Sequence, residues 1–230
     1  MHKDKVKEKI STKNITLIVF ILCILMYVVD VYFKVNYFYK SFIKLIMFLG
    51  FPVLYCLKDK NINLKDYFKI NSLKQLFYSL LLGIIIYIFI IIAYLIARNF
   101  IDLNSIAITL GDSLNVNKNN FIFVSIYISF INSLLEEFFF RGFAFLSLRK
   151  LSSRGFSYFF SALAFSLYHI AIILNWFNIF VFIIILIGLV IAGVIFNFVN
   201  EKSQNIYNSW LIHMFANFAI NSIGFYMFTL

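Results

Sequence analysis

The sequence is poor in the residues that break or punctuate a chain. One proline, Pro52, and eight glycines occur in 230 residues. No Pro/Gly-rich linker divides the chain and no repeat of fixed period is visible, so one domain over residues 1–230 is the simplest organisation. Two cysteines, Cys23 and Cys56, both lie in apolar runs. They provide neither a disulfide framework nor metal-ligand spacing, and read as packing residues. Acidic residues are scarce, ten against twenty Lys and Arg, and charged residues make up only 13%.

What fills the chain instead is apolar: 63% hydrophobic residues, 31 of them Phe, with a mean hydropathy of +0.92. A soluble domain cannot hide that much apolar surface. The composition therefore points to a polytopic protein of the cell membrane, with the lipid bilayer as its first partner. The net charge of +10 does not imply nucleic-acid binding. The basic residues cluster in short segments between apolar runs, as orientation by the positive-inside rule produces.

Apolar runs fall at about 15–33, 37–57, 76–97, 121–148, 156–174, 177–199 and 206–228. Each is near the ~20 residues a helix needs to cross the hydrocarbon core. Strict alternation is absent, which excludes a β-barrel. The expected fold is an all-α, polytopic transmembrane helical bundle of about seven spans. The run 37–57 is the least secure, because Lys40 and Lys44 sit in its first half. The first run is too long for a signal peptide and lacks a small-residue cleavage site. With residues 1–14 as a basic cytoplasmic N-terminus, alternation puts fourteen Lys and Arg in inside segments and four, Lys34, Lys40, Arg98 and Lys118, in outside ones. The bias favours a cytoplasmic N-terminus. Asp30 reads as interfacial, within reach of Lys34. Segment 58–74 reads as a short helix on the inner leaflet or a solvated loop, and nothing in 98–120 suggests chemistry.

Against this background, Glu136 and Glu137 stand out inside the run FIFVSIYISFINSLLEEFFFRGFAFLSL, with Arg141 four residues after the second. An ionised side chain near the bilayer centre costs about 2.5–3.5 kcal/mol on insertion scales. Such groups call for partners, water or a function. Glu137 and Arg141 are i,i+4 neighbours on one helical face and can pair. Glu136 points ~100° away, leaving its carboxylate for another partner or for catalysis. Asn132, one turn earlier, lies on the Glu136 face, whereas Phe138, Phe139 and Phe140 read as lipid-facing or packing residues.

Two further helices carry His169, in FSLYH, and His213 with Asn217, in HMFAN. At ~1.5 Å per residue from the inner helix ends, Glu136 lies ~18 Å deep, His169 ~20 Å, Asn217 ~16 Å and His213 ~11 Å. Taken singly, a membrane histidine is often a hydrogen-bonded packing residue, an asparagine interhelical glue, and a Glu–Arg pair a structural staple. Four polar groups from three helices in one slab are harder to assign that way. A carboxylate, two imidazoles and a carboxamide suffice for hydrolysis: a base for water, a second acid/base or metal ligand, and an oxyanion donor.

Glu136-Glu137-x-x-x-Arg141, Phe165-x-x-x-His169 and His213-x-x-x-Asn217 resemble, in order and each on its own helix, the three signatures of the CPBP family of intramembrane proteases. This is the CAAX-protease and bacteriocin-processing group, also called Abi. The resemblance covers about residues 121–228, which would form the motif-bearing core. It implies endoproteolysis of a membrane-associated peptide precursor or lipidated protein in a cavity open toward the cytoplasm. Glu136 would activate water beside His169, His213 and Asn217 would stabilise the oxyanion, and Glu137 and Arg141 would hold the geometry. Glu136, His169 and His213 could complete a divalent-metal site, such as zinc, with water as fourth ligand. No H-E-x-x-H motif is present, and a metal-free mechanism with a glutamate base fits equally well. Two other classes use the same residues: a non-catalytic immunity or scaffold protein on this fold, and a small proton-coupled transporter. The transporter reading lacks an inverted repeat and a broken helix pair.

Overall fold

The computed structural model describes residues 2–33, 36–59, 61–174 and 176–229. Among these the protein is all-helical. The long helices are α1 (His2–Tyr32), α2 (Tyr37–Lys58), α3 (Leu73–Ala97), α5 (Phe121–Leu151), α6 (Arg154–Tyr168, continued after a turn at His169 by Ile170–Ile173), α7 (Ile179–Ser203) and α8 (Tyr207–Met227). A shorter α4, Leu103–Leu114, lies in the connection between α3 and α5. Among the described residues six helices are long and apolar enough to cross a membrane, all the long ones except α8. The seventh expected span is present as a 21-residue helix. Its apolarity is diluted by Asn208, Ser209, His213, Asn217, Asn221 and Ser222, most of them turned inward.

Packing is closest along two pairs, α3 with α8 and α6 with α7. Glycine makes both approaches possible. A Cβ on Gly83 would meet the ring of Phe215 at 2.8 Å, and one on Gly193 would meet the Ala162 backbone at 2.9 Å. The buried core centres on α5, where all nine residues from Phe138 to Leu146 are buried. Of the two readings given for Phe138, Phe139 and Phe140, lipid-facing or packing, the packing one holds: all three are core residues. Phe48 of α2 stacks on Phe139 at 4.0 Å and meets Phe140 edge-on at 5.6 Å, fastening α2 to the centre of α5. Offset and edge-on ring pairs of this kind add to simple area burial.

Segments expected on the cytoplasmic side meet at one end of the bundle. Ser11 bonds Asp59, Thr12 donates to the Leu151 carbonyl, and Glu201 bridges Arg149 at 2.7 Å and Arg154 at 2.8 Å. Segment 58–74 is neither a leaflet helix nor a free loop. Its 3-10 turn, Leu64–Phe68, docks on the protein: Tyr67 is buried with its hydroxyl on Ser147, and Phe68 stacks on Phe138. Asp30 pairs with Lys40 of α2 at 2.9 Å, so Lys40 belongs to a helix, not to an outside segment. Lys34, the partner expected from sequence, lies outside the described residues.

Candidate active site

Helix α5 is not uniform. A short α-helical stretch, Ser133–Glu137, carries both glutamates between two π-helical stretches, Tyr127–Asn132 and Phe138–Leu146. Such π segments occur frequently at functional sites and disturb the regular backbone ladder. Helix α8 supplies donors alongside the first of them. Asn217 Nδ2 donates to the Ile128 carbonyl at 3.2 Å, Trp210 Nε1 to the Phe130 carbonyl at 3.1 Å, and Asn221 Nδ2 to the Ser125 carbonyl at 3.2 Å. These bonds lock α8 against α5 and put His213 opposite the glutamates.

Five of the six residues singled out from sequence come together. Arg141 Nε lies 3.4 Å from Glu137 Oε2, the expected i,i+4 pair. The other oxygen of Glu137 accepts from His213 Nδ1 at 2.9 Å. Glu137 is therefore more than the partner of Arg141: it also fixes an imidazole of the site. With Nδ1 so engaged, His213 presents Nε2 to Glu136 Oε2 at 3.7 Å.

His169 reaches the same oxygen from the other side. It sits at the C-terminal end of the first part of α6, where helix carbonyls lack intrahelical partners. Its Nδ1 bonds the Phe165 carbonyl at 2.7 Å, and its Nε2 lies 3.7 Å from Glu136 Oε2. Two imidazoles, each pinned through Nδ1, thus aim Nε2 at one carboxylate oxygen. That oxygen is buried and has no hydrogen-bond partner among the described residues. His169 is the most open of these groups, with 16% of its side chain exposed. Asn217 shares the inward face of α8, but among the described residues no hydrogen bond joins it to Glu136 or to either histidine.

The site contains a residue that the sequence reading did not place there. Lys44 of α2 is buried, and its Nζ lies 2.5 Å from Glu136 Oε1 and 2.5 Å from Asn132 Oδ1. Asn132 Nδ2 closes the triangle on the same oxygen at 3.0 Å. The cluster holds two carboxylates, Glu136 and Glu137, and two cations, Lys44 and Arg141, and is formally neutral. An unpaired buried ion would be strongly destabilising. Arg141, fully buried, is held largely by rings: its guanidinium carbon lies 3.9 Å from the Phe165 centroid and 4.8 Å from that of Phe196. Such cation–π contacts strengthen when desolvated. The signal for Lys44 was available. Once Glu137 is assigned to Arg141, Glu136 is left without a partner on its own run, and the run 37–57 holds two lysines, Lys40 and Lys44, of which Lys44 is the deeper.

Among the described residues no group of three His, Cys, Asp or Glu side chains is arranged to hold a metal ion. The Lys44 ammonium moreover occupies the other oxygen of the carboxylate that both Nε2 atoms face. A metal centre built on Glu136, His169 and His213 would have to use Oε2 of Glu136 alone, because Lys44 holds Oε1.

Residues 118–219 match the family model described as type II CAAX prenyl endopeptidase Rce1-like. Over that segment, which is under half of the chain, the protein is similar to CAAX-type intramembrane proteases. No curated protein and no solved structure matches it. Every motif residue of the CAAX-protease reading, from Glu136 to Asn217, falls inside the matched segment, and Lys44 falls outside it.

Proposed function

We propose that the protein is an intramembrane endopeptidase of the glutamate type. It would cleave a peptide bond in a membrane-associated peptide precursor or lipidated protein. The observation that carries this reading is the convergence of His169 Nε2 and His213 Nε2 on the unbonded Oε2 of Glu136, at 3.7 Å each.

In this reading Glu136 Oε2 takes a proton from a water molecule that His169 Nε2 helps to orient. The hydroxide adds to the scissile carbonyl carbon. His213, held by Glu137 through Nδ1 and acting in this step as the imidazolium with a proton on Nε2, and the second amide hydrogen of Asn217 face the oxyanion. Glu136 then returns the proton to the amide nitrogen as the C–N bond breaks, releasing an amine and a carboxylic acid, whose proton passes to the amine. General-base catalysis and oxyanion donors of this kind contribute about 10²–10⁴-fold and 10²–10³-fold respectively. Arg141 holds Glu137 from behind and touches no reacting atom.

The test is a comparison of membrane and secreted peptides from cells carrying the wild type, Glu136→Gln or His169→Ala. The wild type should yield at least one cleaved species that both variants lack. Identical peptide populations in all three would refute the reading.

A further inference from the structure

The motif-bearing helices leave one oxygen of the base to be held by another part of the chain. Glu136 Oε1 receives two donors, the Lys44 ammonium at 2.5 Å and the Asn132 amide at 3.0 Å. Lys44 is itself fixed by Asn132 Oδ1 at 2.5 Å and by the Tyr168 ring, whose centroid lies 4.9 Å from Nζ. One turn on, Phe48 is buried against Phe139 and Phe140, so α2 cannot withdraw the lysine without opening the core. A carboxylate tied by one oxygen cannot turn freely about its terminal bond. Its other oxygen is left facing the imidazoles.

We infer that Lys44 is a positioning residue of the hydrolytic site: it holds Glu136 by Oε1, so that Oε2 alone faces His169, His213 and the reacting water. The inference rests on the hydrolytic reading and adds to it a group from α2, outside the family-matched residues 118–219. It assigns Lys44 no contact with substrate. Its effect should therefore fall on kcat and leave KM nearly unchanged, since only an interaction that matters in the transition state is lost. Misplacing a reacting group by about 1 Å costs ~10²-fold in rate.

Two measurements test this together. In the first, kcat and KM are determined in liposomes with a fluorogenic peptide spanning the cleavage site recovered from cells. Lys44→Met should lower kcat ~10²-fold with KM within about twofold, and Lys44→Arg, which keeps the charge, should recover part of the loss. In the second, thermal unfolding of wild type, Lys44→Met, Glu136→Gln and the double variant is followed with a thiol-reactive dye on Cys23 and Cys56. Each single variant should melt lower than the wild type, and the double variant should melt above either, because it leaves no unpaired charge. The double variant also keeps the test usable if a single variant folds poorly. An active wild type with wild-type kcat in Lys44→Met overturns the positioning role and leaves the hydrolytic reading intact. Additive melting shifts overturn it as well. If no cleavage site exists to be recovered, the hydrolytic reading fails and this one fails with it.

Discussion

Helices α2 and α5 each bury an ionisable side chain in an apolar run, yet the two present opposite problems. In α5 the charges come in sequence order: Glu137 and Arg141 are one turn apart and neutralise each other locally. In α2 the ammonium of Lys44 has no neighbour of opposite sign on its own helix. Its partner, Glu136, lies 92 positions away. Local spacing therefore explains half of the buried charge, and tertiary packing explains the other half. A lysine that weakens the case for a span when read alone becomes strong support for it once the unmatched glutamate is counted.

This contrast can be broken most forcefully at Glu136. Glu136→Gln removes the proposed base and should lower kcat ~10³-fold, measured per folded molecule in liposomes. Asn217→Ala comes next. If its second amide hydrogen serves the oxyanion, kcat should fall ~10²-fold; unchanged kcat with a lower melting temperature would reduce Asn217 to a strap on the Ile128 carbonyl. Phe48→Ala tests whether α2 is held to α5 by the aromatic stack. It should cost about 3 kcal/mol of stability, read by thermal unfolding, and lower kcat more than a cavity elsewhere, such as Phe145→Ala.

The smallest effect is expected at Asp59, at the end of the bundle where charges sit outside the spans. Burial pushes its carboxyl up, but donors from Ser11, Asn61 and Tyr55 outweigh this and hold it below the ordinary carboxylate range. A carboxyl depressed on folding stabilises the protein above the unfolded pKa of about 3.9, and that contribution is lost as pH falls through the folded value. Asp59→Asn should thus lower the melting temperature slightly at pH 7, with the difference from wild type vanishing in acid.

Much of the site was legible in the sequence. The i,i+4 rule gave the Glu137–Arg141 pair, because that contact lies within one helix. The shared depth of Glu136, His169 and His213 anticipated their convergence, because helix rise converts sequence position into height. Contacts that depend on how helices turn toward one another were not legible. The bond from His213 Nδ1 to Glu137 makes one imidazole serve both glutamates, which the ~100° separation on a helix had suggested keeping apart. The inward burial of Phe138–Phe140, the docking of the 64–68 turn and the bond from Asn217 to Ile128 have the same origin. Each is fixed by the neighbour opposite, and hydrophobicity alone does not say whether that neighbour is lipid or protein. Helix α8 shows the converse: it is less apolar than the other long helices because it carries His213 and the asparagines that bond to α5.

The most direct test of the central claim, that adjacent carboxylates have different tasks, is the turnover of folded Glu136→Gln and folded Glu137→Gln on the same peptide in liposomes. The account predicts turnover by Glu136→Gln ~10³-fold below wild type and a smaller loss by a less stable Glu137→Gln. Wild-type turnover by folded Glu136→Gln would contradict it.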